Sequence, residues 1–350
     1  MSELLLPPEH RYAKIIKERH NEDGSELSIL NLGPTHPATH GIFQNILLMD
    51  GEKILEAEPT IGYIHRAFEK IAENRPFYQI TPLTDRMNYC SSPINNLGWW
   101  MTLEKLLGVE VPKRAQYLRV IVMELARIAD HLICNSILGV DTGAYTGFLY
   151  VFQFREKIYE IYEEICGARL TTNMGRIGGF AAGVDYDVRV AQPYSSYEDF
   201  DFIVPVGKSG DTYDRFCVRN AEVWESLSII KQALAKMPAG NEYHADVPEY
   251  YLPPKEDVYT TMESLIYHFK IVMGEVPVPV GEVYHPVEGA NGEIGFYLVS
   301  DGSRTPYRLH FRRPCFIYYQ AYPEMIKGSM LSDAIVILSS LNVIAGELDA

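Results

Sequence analysis

Cysteine is scarce in this chain, and what there is sits badly for chemistry. The five cysteines, at positions 90, 134, 166, 217 and 315, are odd in number, widely scattered and include no C-x-x-C pair. That excludes a disulfide framework. It also leaves no thiolate set for a structural zinc or an iron–sulfur centre held by this chain alone. Positive charge is short as well: 31 Lys and Arg stand against 46 Asp and Glu, a net charge of −15. A chain this acidic is not built to track a phosphate backbone, so nucleic acid is excluded as the main partner. Long apolar runs are missing too. The most apolar late stretch, Met330 to Ile344, contains Asp333 and Asn342 and is shorter than the roughly 20 residues a bilayer span requires. It reads as a buried core element. The first ten residues carry no basic head followed by an apolar run, so no secretory signal is expected and the protein should stay in the cytoplasm. No G-x-G-x-x-G follows a predicted strand, so no dinucleotide fingerprint is present.

What is there is ordinary globular material with a few conspicuous loops. At 350 residues and 47% hydrophobic the chain can bury a large core in two domains or one elaborate one. A short amphipathic helix or arm is expected over 8–23 and a strand over 26–31. A hairpin is expected from 42–49 and 53–57 around Asp50-Gly51, a dipeptide that readily takes the positive φ of tight turns. Ser92-Pro93 offers a cap and an N1 proline for a helix that runs to Gly108. Further helices are expected over 114–136, 145–166, 221–236, 260–274 and 321–331, with 241–258 extended. Strands near 293–300 and 305–311 flank Asp301-Gly302.

Two features bear on chemistry. Gly33-Pro-Thr-His-Pro-Ala-Thr-His-Gly41 sets His36 and His40 in one loop. Pro37 between them lacks an N–H and disfavours the helical conformation of His36, so this is not a helical metal face. It reads instead as a stiff, exposed tip presenting groups that exchange protons near neutral pH. Glu124, Arg127 and His131 recur three and four apart on a predicted helix, the spacing of a solvated or structural ion-pair face.

Several motifs together resemble one family. They are the loop just named, Ile61-Gly-Tyr-Ile-His-Arg66 with Phe68-Glu-Lys70, Asp85-Arg-Met-Asn-Tyr89 and Glu104-Lys-Leu-Leu-Gly108. Glu124-Leu-Ala-Arg-Ile128, Asp141-Thr-Gly143, Arg176-Ile-Gly-Gly179, Tyr213-Asp-Arg215, Gly302-Ser-Arg304 and the tail Gly346-Glu-Leu-Asp349 continue the match in order. The family is that of the D subunit of NADH-quinone oxidoreductase, respiratory complex I, which descends from nickel–iron hydrogenase large subunits. The resemblance implies an α+β, mainly helical fold of the hydrogenase large-subunit type, with a central helical bundle and small antiparallel β elements near both ends. One integrated domain over 1–350 is expected, with an α+β part (1–90), a helical core (91–180) and a second α+β part (181–350).

The same resemblance implies what the site does. Hydrogenases hold their metal through paired cysteines, one pair in a motif that falls on Arg86 to Ser91. Here those ligand positions read Asn88 and Ser91, Cys90 is out of register, and no metal is expected. The emptied cavity would receive a quinone, ubiquinone or menaquinone. Tyr89 would donate to one carbonyl, since a phenol ordinarily keeps its proton to a pH near 10. His40 would deliver a proton to the other carbonyl, and Asp141 would favour and orient its imidazolium. His36 would touch quinone or shape the loop. Arg66 and Arg86, with His65, would lie toward a 4Fe-4S cluster held by the B subunit. The B, C and I subunits and the membrane-embedded H subunit are the implied partners, on the cytoplasmic side of the inner membrane. The complex would couple quinone reduction to proton translocation, and the isolated chain would not oxidise NADH. A scaffold or assembly subunit and a hydrogenase-like membrane-bound subunit are the alternatives.

Two departures from the family pattern stand out. Thr171 occupies a position where many members carry a histidine. Between Gly178-Gly-Phe180 and Gly183-Val-Asp-Tyr-Asp187 the chain lacks several tens of family residues, an apparent missing segment near 180–183.

Overall fold

A computed structural model of the chain describes residues 27–36, 39, 41–173, 175–177, 194–240, 244–247, 249–250 and 252–350. The predicted arm over 8–23, His40 and the 180–183 join lie outside the described residues.

The first sheet is an antiparallel meander of β1 (Ser28–Leu32), β2 (Gln44–Asp50) and β3 (Lys53–Thr60). Leu30 pairs with Leu47, and Leu47 with Ala57. The predicted Asp50-Gly51 turn is present, with Gly51 at φ 59°. Helices α1 (Phe68–Ala72) and α2 (Phe77–Thr84) follow, then α3 (Ser92–Leu107), α4 (Lys113–Asp141), α5 (Tyr145–Cys166) and α6 (Thr212–Lys236). Beyond α7 (Lys255–Thr260) and α8 (Met262–Val272) comes the second sheet, β4 (Gly281–Gly289), β5 (Gly292–Ser300) and β6 (Arg308–Arg312), also antiparallel in chain order. Short helices α9 (Pro314–Tyr319), α10 (Tyr322–Ile326), α11 (Leu331–Ser340) and α12 (Ala345–Leu348) close the chain. The architecture is the expected α+β, mainly helical one.

The core forms around α3, which is buried continuously from Ser92 to Glu104. Such a helix needs apolar surroundings on every side, and Trp99, Trp100, Ile94 and Leu97 meet them at 0–1% exposure. Each large apolar side chain so buried contributes on the order of 1.5–3 kcal/mol. Gly98 allows the second sheet to close on α3, because a Cβ there would lie 2.5 Å from the Phe296 ring and 2.7 Å from Val287. As predicted, α3 stops at Gly108, in the left-handed conformation at φ 68°.

Several boundaries differ from the sequence reading, each for a local reason. Helix α4 runs on to Asp141, so that residue ends a helix instead of sitting in the bend. Helix α6 starts nine residues early because the Asp211 side chain accepts from the Asp214 N–H at 2.7 Å and caps it. Strand β4 was not anticipated, since Pro286 interrupts its pattern. Part of the segment expected to be extended over 241–258 is helix α7. The predicted helix over 260–274 begins at Met262, after a break at Thr261. The Glu124, Arg127 and His131 stripe is buried, at 0%, 2% and 1% exposure, which corrects the solvated reading and retains the ion-pair one. Arg127 donates to the carbonyls of Gly289 and Glu288, and His131 Nε2 lies 2.9 Å from Glu222.

Candidate functional site: an apolar cavity beside Tyr89

Where the first sheet, α4, α5 and the C-terminal helices converge, they enclose a cavity of about 320 Å³. Phe43 from the β1–β2 loop, Ile133 and Ile137 from α4, and Leu338 and Ile344 from the C-terminal segment give it apolar walls. Tyr89, Ser339, Asn342 and Arg155 supply the polar atoms, with Cys90 and Cys134 between them.

Tyr89 is held by the backbone around it. The Asn88 side chain accepts from the N–H groups of Cys90 and Ser91, at 3.2 and 3.4 Å, and so fixes a single 3₁₀ turn over Tyr89–Ser91 ahead of α3. Asn95 donates back to the Asn88 carbonyl at 3.1 Å. On the other side Gly346 presses on the same segment: a Cβ there would come within 2.6 and 2.7 Å of the Arg86 and Met87 carbonyl oxygens. Asn88 therefore works as a cap. The Tyr89 hydroxyl is pushed up to about 12, first by desolvation and then by the neighbouring Cys90, Asp130 and Cys315. It stays protonated at neutral pH and can donate a hydrogen bond.

The described start of the loop packs against Phe43 of the cavity wall. At Gly33, with φ 100°, a Cβ would lie 2.5 Å from both the Phe43 carbonyl oxygen and the Thr39 hydroxyl. His36 is exposed, and its carbonyl accepts from the Thr39 N–H and hydroxyl at 3.0 and 2.9 Å. Asp141 reaches the cavity wall indirectly: its Oδ2 accepts from the Ser339 hydroxyl, and Ser339 lines the cavity.

The cationic residues picked out from the sequence lie on a neighbouring surface. Arg66 and Arg86 are exposed, the first 5.8 Å from the Phe68 ring centre and the second donating to the Pro82 carbonyl at 2.7 Å. The Asp349 carboxylate holds the loop before Arg66 by accepting from the N–H groups of Gly62 and Ile64 at 2.9 and 3.0 Å. His65 Nδ1 lies 2.6 Å from the Asp349 carbonyl oxygen. Beside Arg86 the buried Asp85 is raised to about 7 by desolvation, against the hydrogen bonds of Asn96 and the Asn173 backbone. The structure thus brings Tyr89 and the Asp141–Ser339 pair to one cavity, and sets Arg66, Arg86 and His65 outside it. Sequence reasoning missed Arg155, Ser339 and Asn342. Asn342 carried a signal, as a polar interruption of the apolar run from Met330 to Ile344, and it sits in the left-handed region at φ 54°.

Among the described residues no group of three or more His, Cys, Asp or Glu side chains could hold a metal ion. A family profile described as "Respiratory-chain NADH dehydrogenase, 49 Kd subunit" matches residues 141–182 and 180–350. The chain belongs to the D-subunit family of NADH-quinone oxidoreductase. The NADH-quinone oxidoreductase D subunit of Flavobacterium johnsoniae is 79% identical over 412 aligned positions that cover all of both chains. That of Leptospira biflexa is 46% identical, covering 92% of this chain and 94% of its own. In Bdellovibrio bacteriovorus the relative carries the joint name C/D, and is 43% identical over 94% of this chain and 71% of its own. As a complex I subunit, the chain has other subunits of the complex as partners and a quinone as the substrate its enzyme reduces. Among the described residues no helix is long and apolar enough to cross a membrane.

Proposed function

We propose that the cavity is the head-group end of the quinone-reducing site, formed together with the B subunit. The observation that carries this is a protonated phenol, Tyr89, in the wall of a largely apolar hollow whose polar edge includes the Asp141-bonded Ser339. Converting a quinone to a quinol adds two electrons and two protons to oxygens at opposite ends of the ring, so a competent site has a donor for each end. Tyr89 serves one and His40 the other. Asp141 holds the imidazolium of His40 and releases it once the proton has gone. His36 shapes the loop by accepting from Thr39 and meets quinone at its exposed side chain.

The electrons come from a tetranuclear iron–sulfur cluster of the B subunit. Arg66 and Arg86, exposed and cationic, face that partner with His65 and favour its reduced, more negative state. The C and I subunits and the membrane-embedded H subunit complete the surroundings, on the cytoplasmic face of the inner membrane, and the change at His40 and Asp141 is a local step toward proton translocation. The C/D name of the Bdellovibrio relative fits a neighbouring C subunit. The acceptor is ubiquinone or menaquinone. Thr171, which cannot titrate with cluster reduction, favours the lower-potential menaquinone. An alignment of 412 positions against 350 residues supports a chain shortened near 180–183.

The test is Tyr89→Phe in the assembled complex. Quinone reduction should fall by at least a hundredfold, the scale of a lost proton donor, while NADH still reduces the clusters. Turnover at the parental rate removes Tyr89 from the mechanism.

A further inference from the structure

We infer that Arg155 is the charge-stabilising group of this cavity: its guanidinium binds the quinone oxygen that turns negative when electrons arrive ahead of protons. The inference rests on the quinone reading above.

Arg155 lies on α5 and is the charged residue in the cavity wall among the described residues. A long cation on a helix surface ordinarily reaches for water. Here it is held inward. Its Cζ sits 4.2 Å from the Phe152 ring centre and 4.7 Å from that of Tyr159, and the side chain is 19% exposed. Two ring faces hold such a cation well, yet they leave its N–H groups poorly served. The buried Nε has no hydrogen-bond partner among the described residues. The nearest carboxylate oxygen, Glu156 Oε1, is 3.6 Å from Nη2, and the other Glu156 oxygen is taken by Arg169.

A buried donor without an acceptor is costly, and a cation whose nearest carboxylate oxygen stands 3.6 Å away is only loosely paired. An oxygen carrying negative charge that enters the cavity supplies the acceptor and tightens the pairing. Tyr89 and Arg155 then divide the work. Tyr89 can give a proton; arginine keeps its proton and can only hold charge. One electron added to the bound quinone gives an oxygen-centred anion, which Arg155 holds. A second electron, with one proton each from Tyr89 and His40, gives the neutral quinol, which Arg155 holds less well and releases. Because both the entering quinone and the leaving quinol are neutral, the guanidinium favours the stage between them.

The experiment compares Arg155→Gln and Arg155→Lys in the assembled complex, with decylubiquinone as acceptor. The glutamine variant should lose about a hundredfold in kcat, as when a fixed donor to a developing oxyanion is removed, with KM within threefold of the parent. Lysine, which keeps the charge, should retain at least tenfold more kcat than glutamine. Reduction of ferricyanide by NADH should not change. Equal kcat in the two variants, a rise in KM with kcat intact, or failure of both variants to assemble would assign Arg155 to packing and overturn the inference. Tyr89→Phe measured alongside separates the two levels. If it is inactive while Arg155→Gln turns over normally, only the role of Arg155 falls; if both turn over normally, the quinone reading falls with it.

Discussion

Helix α4 treats charge in opposite ways at its two ends. Through its first turns and middle it buries charge against charged and polar partners: Arg119 donates to Glu104 at 2.8 Å, Glu124 accepts from the Tyr197 hydroxyl at 2.7 Å, and His131 Nε2 lies 2.9 Å from Glu222. From Ile133 onward it offers Ile133, Cys134 and Ile137 to the cavity, where the charged neighbour among the described residues is the loosely paired Arg155. Compensated charge fixes helices in register. On the cavity side the pairing is looser, with Glu156 Oε1 3.6 Å from Arg155 Nη2 and the Arg155 Nε without a hydrogen-bond partner among the described residues.

The largest effect should come from breaking compensation on the structural side. Arg119 and Glu104 are 2% and 6% exposed at their side chains. Arg119→Met removes the guanidinium that pairs with the buried Glu104 carboxylate, which should destabilise the chain by about 3–5 kcal/mol. Urea unfolding of the full chain reads this directly. Replacing both residues by methionine should recover most of the loss, since a well-packed apolar pair often equals a buried ion pair. If the double variant is as unstable as the single one, the pair does more than compensate itself.

Glu347 sharpens the same contrast through pH. It is fully buried on α12, accepts from the Cys315 N–H at 2.8 Å, and is raised to about 7 by desolvation. The folded chain therefore holds a proton up to about pH 7 that the unfolded chain releases near the ordinary carboxyl value. Stability from this group is full below that ordinary value and falls as pH rises to about 7. The total is on the order of 3 kcal/mol. Glu347→Gln keeps the acceptor and removes the titration, so the variant should melt higher than the parent at pH 8 and alike at pH 4. Equal melting at both values would contradict the burial argument. Next in size is Gly346→Ala, where the new methyl meets two backbone carbonyls that cannot move far. A cost of about 1–3 kcal/mol is expected. Quinone turnover should drop at least tenfold, because shifting a reacting group by about 1 Å can cost roughly a hundredfold. Loss of stability with turnover intact would detach Gly346 from the placing of Tyr89.

Local signals made much of this readable from residues alone. Helix α5 begins and ends where its periodicity and Gly167 put it, and the first hairpin follows from Asp50-Gly51. Motif resemblance led to the family and to Tyr89, whose place in the cavity wall the coordinates then supplied. The buried ion pairs were not legible, because charges three and four apart look the same on a solvated face and on a compensated buried one; only the neighbours Tyr197, Glu222 and Gly289, distant in sequence, decide. The cavity was illegible for the same reason. Phe43, Tyr89, Arg155 and Asn342 come from four separate segments, and no spacing rule links them. Helix α6 was read short because its cap, Asp211, lies nine residues ahead of Asn220 and went unrecognised as a helix start.

The smallest effect separates function from stability most cleanly. Asp141 is the last residue of α4, exposed, with no basic residue in that final turn. A negative charge at a helix C-terminus opposes the helix dipole by about 0.3–1 kcal/mol, so nothing in folding calls for a carboxylate there. An asparagine would still accept the Ser339 hydroxyl while removing the charge. Asp141→Asn should therefore leave the complex as stable or slightly more so, while quinone turnover slows roughly three- to tenfold, a barrier change of about 1 kcal/mol. If turnover is unchanged from pH 6 to 8, the charge has no part in holding His40, and Asp141 reduces to an acceptor that ties the end of α4 to α11.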